Sequence, residues 1–304
     1  MTDAATTPAL PAADPVHDAP RWFRTALADV PERRDTEVDG VRVHLRCWGE
    51  PGRPGIVFVH GGAAHSGWWD HVAPFFAAGR RVVALDLTGH GDSGHRTVYD
   101  MTAWAREVVA AGAAGEIGGK PFVVGHSMGG WVAAATGARH GSDVAGIVVV
   151  DSPLNDQAPE EAERARRLRR GRRVHPDRAS ALARFRTLPE QEVLLPYVRR
   201  HIAEGSIRPV DGGWAWKFDV HRFAERLLLR DLLPEITCRV AFLRSEHGLV
   251  PPPMAEEISA LLGHRAPMVE LPDAGHHPML DQPLPLVAAL RVLVRQWELD
   301  GGSR

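Results

Sequence analysis

The chain predicts an α/β fold: a mainly parallel, doubly wound sheet with a helical cap inserted after the sixth strand. Three observations carry that expectation. Short, continuous, β-branched runs recur along the chain, each ending in a glycine-rich or polar turn, as strands covered on both faces do. Helix-compatible segments separate most of these runs, so the strands are joined by crossovers rather than by hairpins. The alternation stops between residues 154 and 234 and then resumes, so a block of different character interrupts one domain.

The elements follow in order. Residues 1–20 are rich in Ala, Pro and Asp and are expected to form a disordered tail. Two strands, Asp35 to Val38 and Val41 to Cys47, flank Asp39-Gly40, a hairpin dipeptide. The run Gly55-Ile56-Val57-Phe58-Val59 is a buried strand that ends in His60-Gly61-Gly62. Arg81-Val82-Val83-Ala84-Leu85 is another, ending in Asp86-Leu87-Thr88-Gly89-His90-Gly91-Asp92-Ser93. A helix from Met101 to about Ala111 leads to the strand Phe122-Val123-Val124. After it, a helix runs from Trp131 to about His140, and Val144 to Val150 ends at Asp151-Ser152-Pro153. The segment 154–234 is helical, charged and Trp-bearing, and is read as a cap over the strand ends. Strands resume at Cys238 to Leu243 and Met268 to Leu271, and a helix over about Leu284–Glu298 closes the domain. The organisation is therefore a core of 21–153 and 235–304 around a cap of 154–234.

Composition narrows the function. The 304 residues carry a net charge of −2, which argues against a generally basic nucleic-acid binder. The two cysteines, Cys47 and Cys238, lie far apart, which fits a reducing compartment and supplies no thiolate zinc site. No apolar run reaches membrane-spanning length, and Met1 to Pro8 lacks the basic start and apolar centre of a signal peptide. The expected location is the cytoplasm. His60, His65 and His71 lie close in sequence, but no His-Glu-x-x-His and no carboxylate at ligand spacing accompanies them, so neither a metal nor a cofactor is expected.

The chemistry centres on Gly125-His126-Ser127-Met128-Gly129-Gly130. A strand that turns at once into a helix forces its corner residue into strained geometry. Gly125 and Gly129 leave room for that corner, and the Ser127 hydroxyl is pushed out above the sheet edge. The first amides of the new helix then point toward whatever Ser127 attacks.

Together His60-Gly61-Gly62, Asp86-x-x-Gly89-His90-Gly91-x-Ser93, the Ser127 motif and Ala274-Gly275-His276 resemble the α/β-hydrolase superfamily over roughly residues 35–298. The resemblance implies an α/β-hydrolase fold, Ser127 as nucleophile and His276 as general base. It implies an oxyanion hole made by the amides of Gly62 and Met128. Asp86 takes an architectural role in a turn, and His60 and His126 hold loops. One position departs from the pattern. The family's usual acid lies past the seventh strand, where this chain reads Ser245-Glu246-His247-Gly248, with Gly248 at the aspartate position. Two carboxylates keep the order nucleophile, acid, histidine. Asp151 ends the sixth strand, as in the branch that includes haloalkane dehalogenases and some lactonases, and Glu246 lies two residues before the vacant position. Asp151 is preferred because a strand end fixes a carboxylate more firmly than a loop, with Glu246 open and Asp273 too near His276 in sequence.

The cap carries an arginine run from Arg164 to Arg173 behind Glu160, Glu161 and Glu163, read as a solvated helix with pairs at helical spacing. Trp68, Trp69, Trp131 and Met279 adjoin the motifs and imply an apolar pocket. The expected activity is hydrolysis of an ester or lactone carbonyl of a small, partly apolar molecule through an acyl-enzyme. The alternatives are carbon–carbon hydrolysis of a ring-cleavage diketone and a non-catalytic small-molecule binder, which the missing acid at Gly248 keeps in play. The partner is a small-molecule substrate, with no nucleic acid and no membrane, and the oligomeric state is open.

Overall fold

The computed structural model describes residues 18–154, 173–219 and 227–301. Its strands are β1 Glu32–Val38, β2 Val41–Trp48, β3 Gly55–Val59, β4 Arg81–Leu85, β5 Phe122–His126, β6 Gly146–Val150, β7 Ile207–Val210, β8 Gly213–Trp216, β9 Arg239–His247 and β10 Met268–Gly275. Eight of them form one sheet in the order β1-β2-β4-β3-β5-β6-β9-β10. β1 with β2 and β2 with β4 are antiparallel, and the other neighbours are parallel.

The inner strands explain themselves. Every residue of β3, β4, β5 and β6 is buried, because helices cover both faces. Alternate side chains serve opposite layers. Val57, Val59, Val123 and Val149 pack with Trp104 and Val108 of the helix Met101–Ala114, and with Val132 and Ala135 of the helix Met128–Arg139. Ile56, Phe58, Val124 and Val148 pack on the other side with Trp69, Phe76 and the closing helix Pro283–Gly301, through Leu286, Leu290 and Val294. The doubly wound sheet is thus present. The hairpin turn is also where the sequence puts it, with φ of 51° at Asp39 and 75° at Gly40, the left-handed pair that such a turn needs.

β1 starts at Glu32, before the expected Asp35, because an edge strand with solvent on one side does not need an apolar run. The helix after Ser127 starts at Met128, ahead of the expected Trp131.

The segment 154–234 differs from a purely helical reading. Its described part holds the helices Arg178–Leu182, Pro196–Gly205 and Leu229–Leu232, and also the antiparallel hairpin β7–β8, which turns at Asp211-Gly212 with φ of 79° at Gly212. Main-chain bonds stitch the hairpin's exit to the turn after β4: Gly91 donates to the Lys217 carbonyl at 2.7 Å, and Asp219 donates to the Gly89 carbonyl at 2.7 Å. Behind the hairpin, Arg46 grips Asp70 with two bonds of 2.8 and 2.7 Å, and His201 Nε2 reaches the same carboxylate at 3.0 Å. Apart from Arg173, the arginine run lies outside the described residues, as does the N-terminal segment before Asp18.

Candidate active site

The site lies at the carboxyl ends of β3, β5, β6, β9 and β10. At the end of β5, Ser127 has φ 55° and ψ −120°, a strained conformation for a residue with a Cβ. Its surroundings hold it there. Ser127 N–H donates to the Val150 carbonyl at 2.9 Å, and its own carbonyl accepts from Gly130 N–H at 2.9 Å and from Ser152 Oγ at 2.8 Å. The two motif glycines are steric necessities. A Cβ on Gly125 would lie 2.0 Å from the Gly129 carbonyl oxygen, and one on Gly129 would lie 2.5 Å from the carbonyl oxygens of Val59 and His60.

Ser127 Oγ lies 3.0 Å from His276 Nε2, and His276 Nδ1 lies 2.7 Å from Asp151 Oδ2. The three groups form one chain of hydrogen bonds. His276 is 4 % exposed and Asp151 0 % exposed, so both bonds operate away from bulk water. Asp151 also accepts from the amides of Ser245 at 3.1 Å and Leu249 at 2.8 Å, which fix the carboxylate in place.

The vacant acid position now has a physical reason. β6 pairs directly with β9, Val150 opposite Leu243, so their carboxyl ends are neighbours and a carboxylate from either reaches the same place. A Cβ on Gly248 would lie 2.2 Å from Asp151 Oδ2. The carboxylate of Asp151 fills the space that a side chain at 248 would occupy. Glu246 stands apart: it is exposed, and its Oε2 accepts from the Asp273 amide at 2.9 Å.

Gly62 faces the start of the helix Met128–Arg139, where a Cβ would lie 3.8 Å from Met128 Sδ. Among the described residues no turn, loop or cap bond takes up the Gly62 or the Met128 amide. His60 bridges loops, donating from Nδ1 to the Gly61 carbonyl at 2.8 Å and accepting from Leu87 N–H at 3.1 Å. His126 Nε2 donates to the His276 carbonyl at 2.7 Å. Asp86 accepts from the amides of Ser66 at 2.6 Å and Asp92 at 2.8 Å, the architecture its turn motif implies.

The rings of His126, His276 and His277 converge, and one nitrogen from each lies within 4.8 Å of the others. Burial holds His126 well below the ordinary histidine range and pushes His277 down to about 3, so both rings are neutral. Each donates from Nε2 to a carbonyl, leaving an Nδ1 lone pair buried and unpartnered. These are imidazole nitrogen donors of the kind that suits zinc, copper or nickel, and a metal taking them would compete with Ser127 for His276.

The apolar pocket expected from the tryptophans takes a different form. Trp69 is fully buried and stacks on Phe58 at 4.7 Å, and Met279 is 1 % exposed within the core. Only part-buried Trp131, which donates to the Pro153 carbonyl at 3.0 Å, and Trp68, edge-on to His277 at 5.4 Å, border the site. The aromatic residues were drawn into the layers because a tryptophan beside a turn gains more by burial than by lining a wet cleft. A separate polar cavity of about 250 Å³, lined by Arg46, His65, Asp70, His201 and Lys217 among others, lies between the sheet edge and the hairpin.

An open sheet with a serine at a strained strand–helix corner, linked to a histidine and a carboxylate from later strand ends, defines an α/β hydrolase. The model of the Alpha/beta hydrolase family matches residues 56–290, and the chain belongs to that family. The esterase Rv0045c of Mycobacterium tuberculosis is 28% identical over 247 residues, covering 78% of this chain and 82% of the relative. A monoacylglycerol lipase of Mycolicibacterium smegmatis is 36% identical over 126 residues, 39% of this chain and 45% of that one. In structure, E-2-(acetamidomethylene)succinate hydrolase superposes with a TM-score of 0.72 at 22% identity, covering 87% of this chain and 99% of that one.

Proposed function

We propose that the protein is a serine hydrolase acting on an ester or lactone carbonyl of a small, partly apolar molecule through an acyl-enzyme. The observation that carries this is the continuous link from Asp151 through His276 to Ser127, at 2.7 and 3.0 Å. Ser127 Oγ attacks the carbonyl carbon while its proton passes to His276 Nε2. The amides of Gly62 and Met128 hold the oxyanion, and Asp151 accepts from Nδ1–H and stabilises the imidazolium without taking its proton. Collapse expels the alcohol, which leaves with the proton from His276. Water, deprotonated by the same ring, then adds to the acyl carbon and releases the acid and Ser127.

Ester chemistry is supported by the names of the relatives, an esterase and an acylglycerol lipase. Segment 154–234 acts as a cap over the strand ends, and the two free thiols, both shifted up to about 11 by burial, accord with a reducing cytoplasm. Among the described residues no helix is long and apolar enough to cross a membrane. The binder alternative loses its motive, since Asp151 supplies what Gly248 lacks.

The test is a panel of p-nitrophenyl esters and lactones of graded length, run beside a ring-cleavage diketone, together with fluorophosphonate labelling. Ester turnover and labelling that both vanish in Ser127→Ala are the expected results. An unlabelled wild-type serine would overturn the reading, and turnover of the diketone alone would move it to carbon–carbon hydrolysis.

A further inference from the structure

The loop that carries the histidine is gripped from outside the core. Residues Thr187 to Val193 belong to the inserted segment, yet Gln191 reaches across to the chain on both sides of His276. Its Oε1 accepts from His277 N–H at 2.8 Å, and its Nε2 donates to Asp281 Oδ2 at 2.7 Å. The same Asp281 oxygen accepts from Gly275 N–H at 2.6 Å. The backbone amides immediately before and after His276 are therefore tied to one Gln191–Asp281 pair.

Packing reinforces the bonds. A Cβ on Gly275 would lie 2.4 Å from Gln191 Cδ, so the carboxamide rests directly on the Gly275 backbone. Gln191 is in turn fixed by its own amide, which donates to Thr187 Oγ1 at 3.0 Å, and by a bond from Nε2 to the Val193 carbonyl at 3.0 Å. Two more links join the same surfaces: His277 Nε2 donates to the Pro189 carbonyl at 3.3 Å, and Leu195 N–H donates to the Leu280 carbonyl at 2.9 Å. Asp281 is 7 % exposed, and burial raises its carboxyl above the ordinary range. A buried carboxyl oxygen that accepts from both a backbone amide and a carboxamide is a specific contact, because losing either partner leaves a polar group without water.

We propose that Gln191 and Asp281 are positioning residues for His276, so that the aim of the base at Ser127 depends on the seating of the inserted segment 187–193. The proposal rests on the reading of His276 as general base. Neither residue touches the reacting atoms. Their effect is on the geometry of a proton transfer, in which a misplacement of about 1 Å costs on the order of 100-fold.

The experiment compares wild type, Gln191→Ala, Gln191→Glu and Asp281→Ala. Each is assayed for kcat and KM on a p-nitrophenyl ester and for hydrogen–deuterium exchange of the peptide spanning residues 275–277. In Gln191→Ala, kcat is expected to fall by about 10- to 100-fold with KM within about threefold, as loss of aim rather than of binding requires. Exchange at 275–277 is expected to accelerate. Gln191→Glu sets two carboxyl groups against each other and is expected to be worse. Asp281→Ala removes the acceptor that Gly275 N–H and Gln191 Nε2 share and is expected to lower kcat as Gln191→Ala does, again with little change in KM. An unchanged kcat in Gln191→Ala overturns the proposal, as does an unchanged kcat in Asp281→Ala. An inert wild-type protein would sink the hydrolase reading instead, and unchanged exchange at 275–277 in Gln191→Ala would then overturn the clasp on its own terms.

Discussion

Asp151 and Gly248 are two residues competing for one volume, and that competition makes the assignment of the acid testable. Asp151→Asn retains the shape but reverses the hydrogen bond that fixes the His276 tautomer, so kcat is expected to fall about 10⁴-fold with little change in KM. Glu246→Gln, remote from His276, is expected to keep activity within about twofold, as surface changes away from a site do. Stopped-assay kinetics on one ester reads both, and the opposite pattern would transfer the role to Glu246. Gly248→Ala places a methyl group 2.2 Å from Asp151 Oδ2 and is expected to inactivate the enzyme by displacing the carboxylate. The double variant Asp151→Gly with Gly248→Asp empties the space and refills it from the neighbouring strand. Glycine suits position 151, where φ is 45°. Turnover above that of Asp151→Gly alone is the expected result, and no recovery would mean that the acid must come from β6. The sequence made Asp151 eligible through its place at a strand end. It could not reveal that Gly248 was a vacancy with a tenant, because that follows from the pairing of β6 with β9. Gln191 and Asp281 were illegible for a related reason: neither lies in a motif, and only the fold brings them to His276.

Among elements, the strand–turn–helix corner depends most on exclusion of side chains. Gly129→Ala forces a Cβ to within 2.5 Å of the Val59 and His60 carbonyl oxygens, which cannot move without breaking β3 from its neighbours. Such overpacking costs about 1–3 kcal/mol. At roughly 2–4 °C per kcal/mol for a domain of this size, Tm is expected to fall by several degrees, read by thermal unfolding. An unaltered Tm would show that the corner relaxes freely. The same corner was legible from the sequence because its glycines are required by backbone geometry, which is local. The buried strands were legible because a run such as Ile56 to Val59 has no polar face to offer. The hairpin β7–β8 escaped although it announces itself at Asp211-Gly212 as plainly as the first hairpin does at Asp39-Gly40. Its flanks, Ile207-Arg208-Pro209-Val210 and Gly213-Trp214-Ala215-Trp216, are only half-buried and lack the β-branched continuity of the inner strands.

At the scale of the whole molecule, folding sequesters a set of imidazoles. Burial lowers His60 and His126, pushes His65 and His71 to about 4, and pushes His277 to about 3. In the unfolded chain these rings titrate near 6.5. Between that pH and the folded values the unfolded state holds protons that the native state does not, so stability rises with pH and is lost as pH falls below about 6.5. Each ring contributes up to about 1.4 kcal/mol per pH unit while the gap is open. Urea unfolding is expected to give a midpoint that declines steeply from pH 6.5 to pH 4.5, and a flat profile would mean that water reaches these rings.

The exit of the hairpin β7–β8 is tied to the turn after β4 through main-chain atoms at Gly89, Gly91, Lys217 and Asp219. Peptide groups are common to all residues, so on the hairpin's side the seam uses nothing specific to the side chains at 217 and 219, while the core side needs glycine at 89 and 91, where φ is 85° and 56°. An insertion from another protein of the family, spliced in just inside those ends, would inherit the docking without having been selected for it. On the cap reading proposed above, the molecule is thereby suited to chimeras in which that segment is exchanged and the sheet kept.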